Sequence, residues 1–196
     1  IVTENGVQYE VDFAAGYSQG LFLDQRNNRR EVADRASGER ILNCFAYTCG
    51  FSVTAAVSGA RSTTSIDLSR TYLEWGKRNF ILNGIDFSGT EHYFCRGDVF
   101  EWLSQFRRKK RVFDGVILDP PSFSRVKKGR VFTIEKDYPR LVEAASRIVS
   151  RGGWILACCN HHGVSKSRFN QLVKEGVLAG NGVIASEEKR PMPDDF

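Results

Sequence analysis

The sequence lacks the features that mark several classes of protein. None of its 196 residues belongs to a run of about eighteen apolar residues, the length that a membrane-spanning helix needs. Residues 1–12 carry acids and polar groups where a secretory signal would be apolar. Internal repeats and low-complexity segments are also absent. We therefore expect a globular chain with a core of ordinary size and no membrane partner.

Cysteine usage argues against a disulfide framework. The five cysteines are odd in number, scattered and without a Cys-x-x-Cys pair, so reduced thiols in the cytoplasm are the expected state. Cys158, Cys159, His161 and His162 are near neighbours, but adjacent ligands do not match known zinc spacings, and we predict no metal. The net charge of +5 favours a polyanionic partner.

From residue 40 onward, strand and helix patterns alternate, which predicts an α/β fold with a mostly parallel sheet. The predicted strands are 40–45, 62–66, 91–96, 113–118, 154–159 and 183–187, and the predicted helices are 51–57, 69–83, 99–107, 137–149 and 166–177. Earlier, residues 7–13 alternate like a half-exposed strand, and a polar helix is predicted from Asp24 to Ala36. Because an open sheet of this kind would have one more strand, we expect the chain to continue beyond Phe196.

The most informative segment ends a predicted strand on Asp119 and two prolines. Residues 115–118 form the short apolar run that is typical of a strand buried on both faces of a parallel sheet. Proline cannot donate a ladder hydrogen bond, so the strand stops there, and Phe123 follows on a rigid loop. Open α/β sheets bind ligands at this edge. The alternative is a proline-rich turn with a solvated Asp119.

Two further acids, Asp67 and Asp98, follow predicted strands at the same edge. Asp67 lies 17 residues after Gly50, where an acid can accept hydrogen bonds from the ribose hydroxyls of a nucleoside cofactor. Asp98 could reach an adenine amine. Each acid could instead only cap the next helix. Three acids in succession along one edge, counting Asp119, favour a binding site.

The turn after the first strand of the sheet, residues 43–52, contains Gly50. A glycine there lets the backbone approach a ligand, although the alternative is a plain turn into a helix. The turn is not Gly-x-Gly-x-x-Gly, which disfavours a pyrophosphate cradle and a nicotinamide dehydrogenase. Acids without a phosphate loop fit S-adenosylmethionine better, since that cofactor has no phosphate and carries a positive sulfonium.

Three segments, residues 21–26 (LFLDQR), 43–48 (NCFAYT) and 119–123 (DPPSF), resemble the RlmI and RlmK/L group of bacterial large-subunit rRNA methyltransferases. Residues 60–75 are similar to the RlmK half in particular, which methylates guanine N7. The resemblance spans nearly the whole chain. It implies a class I, Rossmann-like methyltransferase fold, S-adenosylmethionine as the cofactor and rRNA as the substrate. It also implies an extension over the cofactor pocket at 1–38 and a methyltransferase domain at 39–196.

The resemblance further implies the residues of the site. The cofactor pocket would be lined by Asn43, Phe45, Tyr47, Thr48, Gly50, Asp67, Leu68, Asp98 and Asp119. The 24–26 turn would close over it, with Arg26 as the partner of the methionine carboxylate, unless Arg26 merely begins a helix in solvent. Asp119 and Pro120 would shape the target slot, and Phe123 would stack on the base. These three are the candidate catalytic residues, and none is assigned as a general base.

Two basic runs could contact RNA, and topology separates them. Residues 107–111 precede the strand at 113–118 and so lie at the amino edge of the sheet, where cations suit a helix C-terminus. Residues 125–130 follow that strand and are better placed to hold phosphates, with Phe123 and Phe132 near them for stacking. The alternative for this second run is a solvated loop.

The methylated atom depends on two cysteines. Carbon-5 of a pyrimidine reacts only after a thiolate adds at carbon-6, whereas guanine N7 already has a lone pair. RlmI-like cytosine methylases have a cysteine seven residues beyond their Gly-Gly pair, and from Gly153 that position is Asn160. Cys159 lies one residue short, which turns it to the other face of a strand, so we expect guanine N7. A one-residue gap would restore Cys158 or Cys159 as a nucleophile.

Two other functions stay open. Methylation of an exocyclic amine in DNA would use a similar loop, but Ser122-Phe123 departs from the Asn-Pro-Pro-Tyr form of that group. A non-catalytic RNA-binding or assembly domain would keep the fold without the activity.

Overall fold

The computed structural model describes residues 1–14, 19–121, 132–160 and 163–195. The strands are β1 Val2–Glu4, β2 Val7–Tyr9, β3 Arg40–Cys44, β4 Ser62–Asp67, β5 His92–Arg96, β6 Phe113–Leu118 and β7 Val149–Ala157. The helices are α1 Arg26–Arg35, α2 Gly50–Val57, α3 Arg70–Leu82, α4 Val99–Arg108, α5 Ile134–Ser146 and α6 Lys166–Ala179, and a 3-10 turn, Leu23–Gln25, leads into α1.

Strands β3 to β7 form one parallel sheet in the order β5-β4-β3-β6-β7. The chain builds outward from β3 to β5 and then crosses back, so β6 pairs with the other side of β3. The strand order therefore reverses between β3 and β6, and a crevice forms where their carboxyl ends diverge. This arrangement confirms the predicted α/β fold class.

Alternating side chains of the central strands explain why helices cover both faces of the sheet. Leu42 of β3 packs with Leu103 and Leu141 of α4 and α5, whereas the preceding residue, Ile41, packs with Val32 and Ala55 of α1 and α2. Successive residues of a strand point to opposite faces, so an unbroken apolar run serves two cores at once. Burying each such aliphatic side chain stabilises the fold by roughly 1.5–3 kcal/mol.

The first two strands form an antiparallel hairpin outside the main sheet. Val7 and Tyr9 pack in a core with Leu73 and Val53, which belong to α3 and α2. The Tyr9 hydroxyl also shares a hydrogen bond of 2.5 Å with Thr54 Oγ1. The hairpin is therefore attached to the two helices that flank the β3 and β4 exits. The division into units 1–38 and 39–196 stays a prediction.

Two strand predictions were wrong. Residues 183–187 form no strand; Val183 is 91% exposed, and the segment is held to helices by charges, with Glu187 paired to Lys174 at 2.7 Å. The last strand is Val149–Ala157 rather than 154–159. The strand starts earlier because it includes an irregular stretch around Gly152, whose φ is 80°. At this stretch the pairing with β6 shifts its register between Phe113 and Gly115.

The predicted helices were mostly right, with shifted ends. Helix α5 begins three residues before the predicted start, at Ile134, because Asp137 caps the first turn from inside. Its Oδ2 accepts hydrogen bonds from both the backbone N and the hydroxyl of Thr133, at 2.9 and 3.2 Å. Asp137, where the helix was predicted to start, thus lies inside its first turn and binds back to the N-cap residue, Thr133.

Candidate active site

A large cavity opens at the carboxyl edge of the sheet, where β3, β4 and β6 end. Its volume is about 480 Å³, which lies within the range of small-molecule sites in proteins. Several of the residues predicted from the sequence line it together: Phe45, Tyr47, Thr48, Gly50, Asp67, Leu68, Asp98, Asp119 and Pro120.

The loop between β3 and α2 forms one wall in an unusual backbone conformation. Phe45, Tyr47 and Cys49 have positive φ, at 61°, 51° and 62°. Such left-handed residues other than glycine cost about 1–3 kcal/mol each and persist only where the surroundings fix them. The alternation turns the chain sharply and brings the start of α2 to the cavity.

Hydrogen bonds from three other segments hold this strained loop. The Tyr47 amide donates to Asp67 Oδ2 at 2.9 Å, which joins the loop to the end of β4. Thr48 Oγ1 donates to the carbonyl of Gly20 at 2.6 Å, and the amide of Gly20 donates to the Tyr47 hydroxyl at 2.9 Å. Asn79 Nδ2 of α3 donates to the Thr48 carbonyl at 3.0 Å. The wall is therefore preformed.

Asp67 uses both carboxylate oxygens on backbone amides. Besides Tyr47, the amide of Ser69 donates to Asp67 Oδ1 at 2.8 Å. Burial raises the pKa of Asp67 above its usual value, and the backbone hydrogen bonds oppose that rise. The cap of α3 is Ser69, which accepts from the Tyr72 amide at 3.2 Å, so Asp67 is not the helix cap. Each of its oxygens keeps a lone pair that can accept a ligand hydroxyl.

Asp98 has both of the roles that the sequence left open. It is the N-cap of α4, where Oδ1 accepts from the Glu101 amide at 3.2 Å, and it also lines the cavity. Capping uses one oxygen and fixes the side chain, and the other oxygen is available to a polar ligand edge.

Asp119 lies directly after β6 and lines the cavity. Burial raises its pKa to about 7; the negative charge of Asp24 adds to the rise, and the positive charge of Arg29 opposes it. Asp24 lines the same cavity from the turn before α1. Asp119 therefore binds a proton readily near neutral pH, mainly because it is buried and also because the charge of Asp24 lies near it.

Hydrogen bonds fix the position of the Asp24 turn against the sheet. Gln25 Oε1 accepts from Asn28 Nδ2 at 2.7 Å and from Cys158 Sγ at 3.7 Å. Cys158 follows β7, and its amide donates to the carbonyl of Leu118 at 2.8 Å. The exits of β6 and β7 and the turn before α1 therefore meet at one junction beside the cavity.

Arg29 is the cation among the described lining residues, and its charge is already matched. It is 3% exposed, and its Nε and Nη2 donate to the two carboxylate oxygens of Glu4, each at 2.7 Å. Its Nη1 donates to the carbonyl of Phe22 at 2.8 Å. A buried bidentate pair of this kind is strongly coupled and geometrically specific. Arg29 thereby ties the hairpin to the segment that walls the cavity.

Aromatic rings line the cavity at both ends. Phe22 packs on Tyr47 with ring centroids 5.1 Å apart, and Tyr47 meets Tyr72 edge-on at 4.5 Å. At the side nearer α5, Phe45 and Phe132 meet at 6.4 Å. Rings in these arrangements offer flat apolar faces against which planar bases pack.

Two predicted cofactor-binding residues lie elsewhere in the structure. Arg26 is not among the lining residues; its guanidinium binds Asp195 through two hydrogen bonds of 2.6 and 3.2 Å. Asn43 is buried beneath α2, where its Nδ2 donates to Ser52 Oγ at 3.0 Å. The expected carboxylate partner therefore does not face the cavity, and Asn43 supports the wall from behind.

The two candidate nucleophiles differ in surroundings. Cys158 is buried, and burial, with the nearby charges of Asp119 and Asp24, raises its pKa well above the usual value for a thiol. Cys159 is partly buried and packs against the main core. Asn160 lines the cavity at the position counted from the glycine pair.

Some predictions fall on parts of the chain that the structure does not describe: Phe123, the basic run at 125–130, His161 and His162. Within the described ranges, no group of three or more His, Cys, Asp and Glu side chains could hold a metal ion. Among the same residues, no helix is both long and apolar enough to cross a membrane.

Arg29 and the role of Asp24 were not predicted from the sequence. The resemblance of the Asp24-Gln25-Arg26 segment pointed to Arg26 as the functional arginine, whereas the helical spacing of the buried residues points to Arg29. Gln25, Arg29, Val32 and Ala36 are all buried and lie on one face of α1 at intervals of three or four residues. An arginine on the apolar face of a helix indicates a buried partner, which for Arg29 is Glu4. Arg26 lies on the solvent face, and its partner, Asp195, is exposed.

Comparisons with known proteins agree with this geometry. The family model for S-adenosylmethionine-dependent methyltransferases matches residues 1–177. The ribosomal RNA large subunit methyltransferase K of Neisseria meningitidis is 38% identical over 100% of this chain and 53% of its own length. The large subunit methyltransferase I of Aeromonas salmonicida is 36% identical over 91% of this chain and 44% of its own length. The chain thus spans about half the length of these relatives.

A solved structure gives the same result for the fold. SMU.776, described as "a putative methyltransferase complexed with SAH", superposes with a TM-score of 0.86 at 35% identity. The match covers 98% of this chain and 50% of the other. The class I fold and the cofactor predicted from the sequence are those of the matching family.

Proposed function

Because the chain belongs to the family of S-adenosylmethionine-dependent methyltransferases, we propose that it transfers a methyl group to a base of large-subunit ribosomal RNA. The names of the similar proteins, which are rRNA large subunit methyltransferases K and I, support this substrate. The net charge of +5 also suits a polyanionic partner.

The cavity fits S-adenosylmethionine by chemistry as well as by size. Lone pairs remaining on Asp67 suit the ribose hydroxyls, and Asp98 at the next strand suits the adenine edge. The backbone at Gly50 and the ring of Tyr47 supply the wall between them. When bound, the cofactor supplies an electrophilic methyl group. The protein's own task is to position the target base and exclude water.

We further propose guanine N7 as the methylated atom. The observation that carries this choice is the state of Cys158, which is buried with its thiol donating to Gln25 Oε1 at 3.7 Å. Attack on carbon-6 of a pyrimidine needs a thiolate, and burial beside carboxyl groups raises the pKa of this thiol. Guanine N7 needs no covalent help and no general base. Asp119, Pro120 and Asn160 would then shape the slot for the base.

Methylation of cytosine carbon-5 is the second candidate. It is favoured by the similarity to methyltransferase I and by Cys159, which is only partly buried. The two candidates differ in one requirement: cytosine methylation needs a free thiol and guanine methylation does not.

Purified protein incubated with S-adenosylmethionine and unmodified large-subunit rRNA tests both proposals, with the products identified by nucleoside mass spectrometry. We expect 7-methylguanosine, formed at comparable rates by the wild type, Cys158→Ala and Cys159→Ala. Formation of 5-methylcytidine that either alanine variant abolishes would instead establish the thiolate mechanism. Failure to bind S-adenosylmethionine by calorimetry, with RNA binding intact, would contradict the enzyme assignment and favour a non-catalytic RNA-binding domain.

A further inference from the structure

The charge of the cavity wall is unusual for a protein that binds a polyanion. Four carboxyl groups line it, from Asp24, Asp67, Asp98 and Asp119. The described cation of the wall, Arg29, is paired along one edge of its guanidinium with the carboxylate of Glu4, which already balances its charge. Acids enclosed by a low-dielectric wall favour a positively charged ligand over a neutral one.

The four acids are not equivalent. Asp67 and Asp98 accept hydrogen bonds from backbone amides. Asp119 accepts none from any residue in the described part of the chain, and Asp24 likewise accepts none there. A carboxylate that is buried without hydrogen-bond donors carries a desolvation cost. A positively charged ligand bound beside it compensates this cost.

Asp24 and Asp119 also line the same cavity, the first from the turn before α1 and the second from the end of β6. Asp24 precedes Gln25, and Asp119 follows Leu118. Cys158 joins these two neighbours: its thiol donates to Gln25 Oε1 at 3.7 Å, and its amide donates to the Leu118 carbonyl at 2.8 Å. The proximity is felt electrostatically, because the charge of Asp24 raises the pKa of Asp119. The pair therefore stands at the end of β6, at the point where strand order reverses.

We propose that the Asp24–Asp119 pair stabilises the positive charge that is conserved through methyl transfer, first on the sulfonium and then on the methylated guanine. This inference rests on the proposed function. The new bond joins guanine N7 to the methyl carbon and uses the N7 lone pair, while the electrons of the broken carbon–sulfur bond return to sulfur. No proton moves, so the positive charge passes to the guanine ring.

This charge balance separates guanine N7 from the other targets. Methylation of cytosine carbon-5 or of an exocyclic amine ends with the loss of a proton and a neutral base. Of these three reactions, only N7 methylation leaves the positive charge on the finished product, because N7 has no proton to lose. A preorganised pair of carboxylates stabilises such a charge without rearranging, and that is the form of electrostatic assistance with the largest effects in enzymes.

The groups that face Asp119 come from four elements. Among the described residues they are Asp24 before α1, Arg29 of α1, Tyr138 of α5 and Cys158 after β7. Burial raises the pKa of Tyr138 and of Cys158 well above their usual values, so both are neutral at pH 8. Among the described residues, the charges near Asp119 at that pH are those of Asp24 and Asp119 themselves and of Arg29, which is paired with Glu4.

The test compares Asp24→Asn with Asp34→Asn, which removes the same charge from the exposed face of α1. Calorimetry at pH 8 measures binding of S-adenosylmethionine and of S-adenosylhomocysteine, which lacks the sulfonium charge. We expect Asp24→Asn to weaken the first roughly tenfold or more and to leave the second nearly unchanged, and Asp34→Asn to change neither. Asp119→Asn provides a second variant with the same expected loss of discrimination.

Equal weakening of both ligands by Asp24→Asn, or no difference from Asp34→Asn, would overturn the inference. These binding measurements need no RNA, so they are independent of the proposed substrate. In single-turnover reactions with rRNA, Asp24→Asn should also slow formation of 7-methylguanosine by at least tenfold. A 5-methylcytidine product would instead overturn the guanine assignment, and with it the product half of this inference.

Discussion

At the scale of single residues, the two acids of the β6 segment show how position decides charge. Asp114, near the start of the strand, binds the Arg40 side chain through two hydrogen bonds of 2.8 Å and accepts another from Ser150. Those partners hold its pKa well below the usual range. Asp119, after the end of the same strand, has a pKa raised to about 7, mainly by burial. The first acid stabilises the fold and the second costs stability.

Replacing Asp119 by Asn should therefore stabilise the unliganded protein in a pH-dependent way. The folded-state pKa of about 7 exceeds the usual value near 3.9, so the folded form binds the extra proton and loses stability as pH rises from about 4 to 7. Asn cannot ionise and escapes this loss. We expect a gain in unfolding free energy that is small near pH 4 and reaches on the order of 2 kcal/mol at pH 8.

Urea unfolding of both proteins at several pH values measures this gain. An unchanged difference between pH 4 and pH 8 would mean that Asp119 does not titrate as described. Asp119→Asn is also expected to lose the preference for S-adenosylmethionine over S-adenosylhomocysteine. The variant would therefore be more stable but less functional, which is a common trade-off at binding sites.

Replacing Asp114 by Asn should have the opposite sign. A lowered folded-state pKa contributes stability that is present above about pH 4 and is lost as pH falls below it. Asp114 and Arg40 are partly solvent-exposed, so we expect a screened loss of about 1–2 kcal/mol at pH 7. The gap between wild type and variant should narrow as pH falls below 4; thermal unfolding that shows the same gap at pH 3 and pH 7 would contradict the role of this pair.

At the scale of elements, the β1–β2 hairpin and α1 shape the cavity through one buried ion pair. Arg29 binds Glu4 of β1 and the Phe22 carbonyl, and its guanidinium lies 5.9 Å from the centre of the Tyr9 ring. The segment that follows Gly20 is thereby held against the left-handed loop. Elements distant in sequence thus fix the strained wall, whose conformation the loop itself would not maintain.

Glu4→Gln should destabilise the protein by about 2–4 kcal/mol, because it leaves the buried charge of Arg29 without its partner. Glu10→Gln is the matched control: Glu10 binds Arg78 with similar geometry, but that pair is half-exposed. Its loss should cost less than about 1 kcal/mol. Chemical denaturation with equal losses for the two variants would show that the Glu4–Arg29 pair has no special weight.

At the scale of the whole molecule, the sequence predicted the parallel sheet and most of the lining residues because both depend on local pattern. Apolar runs marked the central strands, and acids at their ends marked the edge where ligands bind. The roles of Arg29 and Asp24 were missed because they depend on residues distant in sequence, Glu4 of β1 and Asp119 after β6. The strand expected at 183–187 is absent: Val183 is exposed, and Glu187 pairs with Lys174 of α6.

The basis of the N7 choice changed between sequence and structure. The sequence offered a register count from Gly153 to Asn160 and the similarity of residues 60–75 to the RlmK half. The structure adds a buried Cys158 thiol with a raised pKa and a cavity wall rich in carboxyl groups. Both observations are long-range consequences of folding, and no local pattern reports them.

The most direct test of the account is mass spectrometry of large-subunit rRNA nucleosides from cells that lack the gene. We expect the loss of one 7-methylguanosine, which the wild type and the double variant Cys158→Ala, Cys159→Ala both restore. Loss of 5-methylcytidine, not restored by that double variant, would contradict the account.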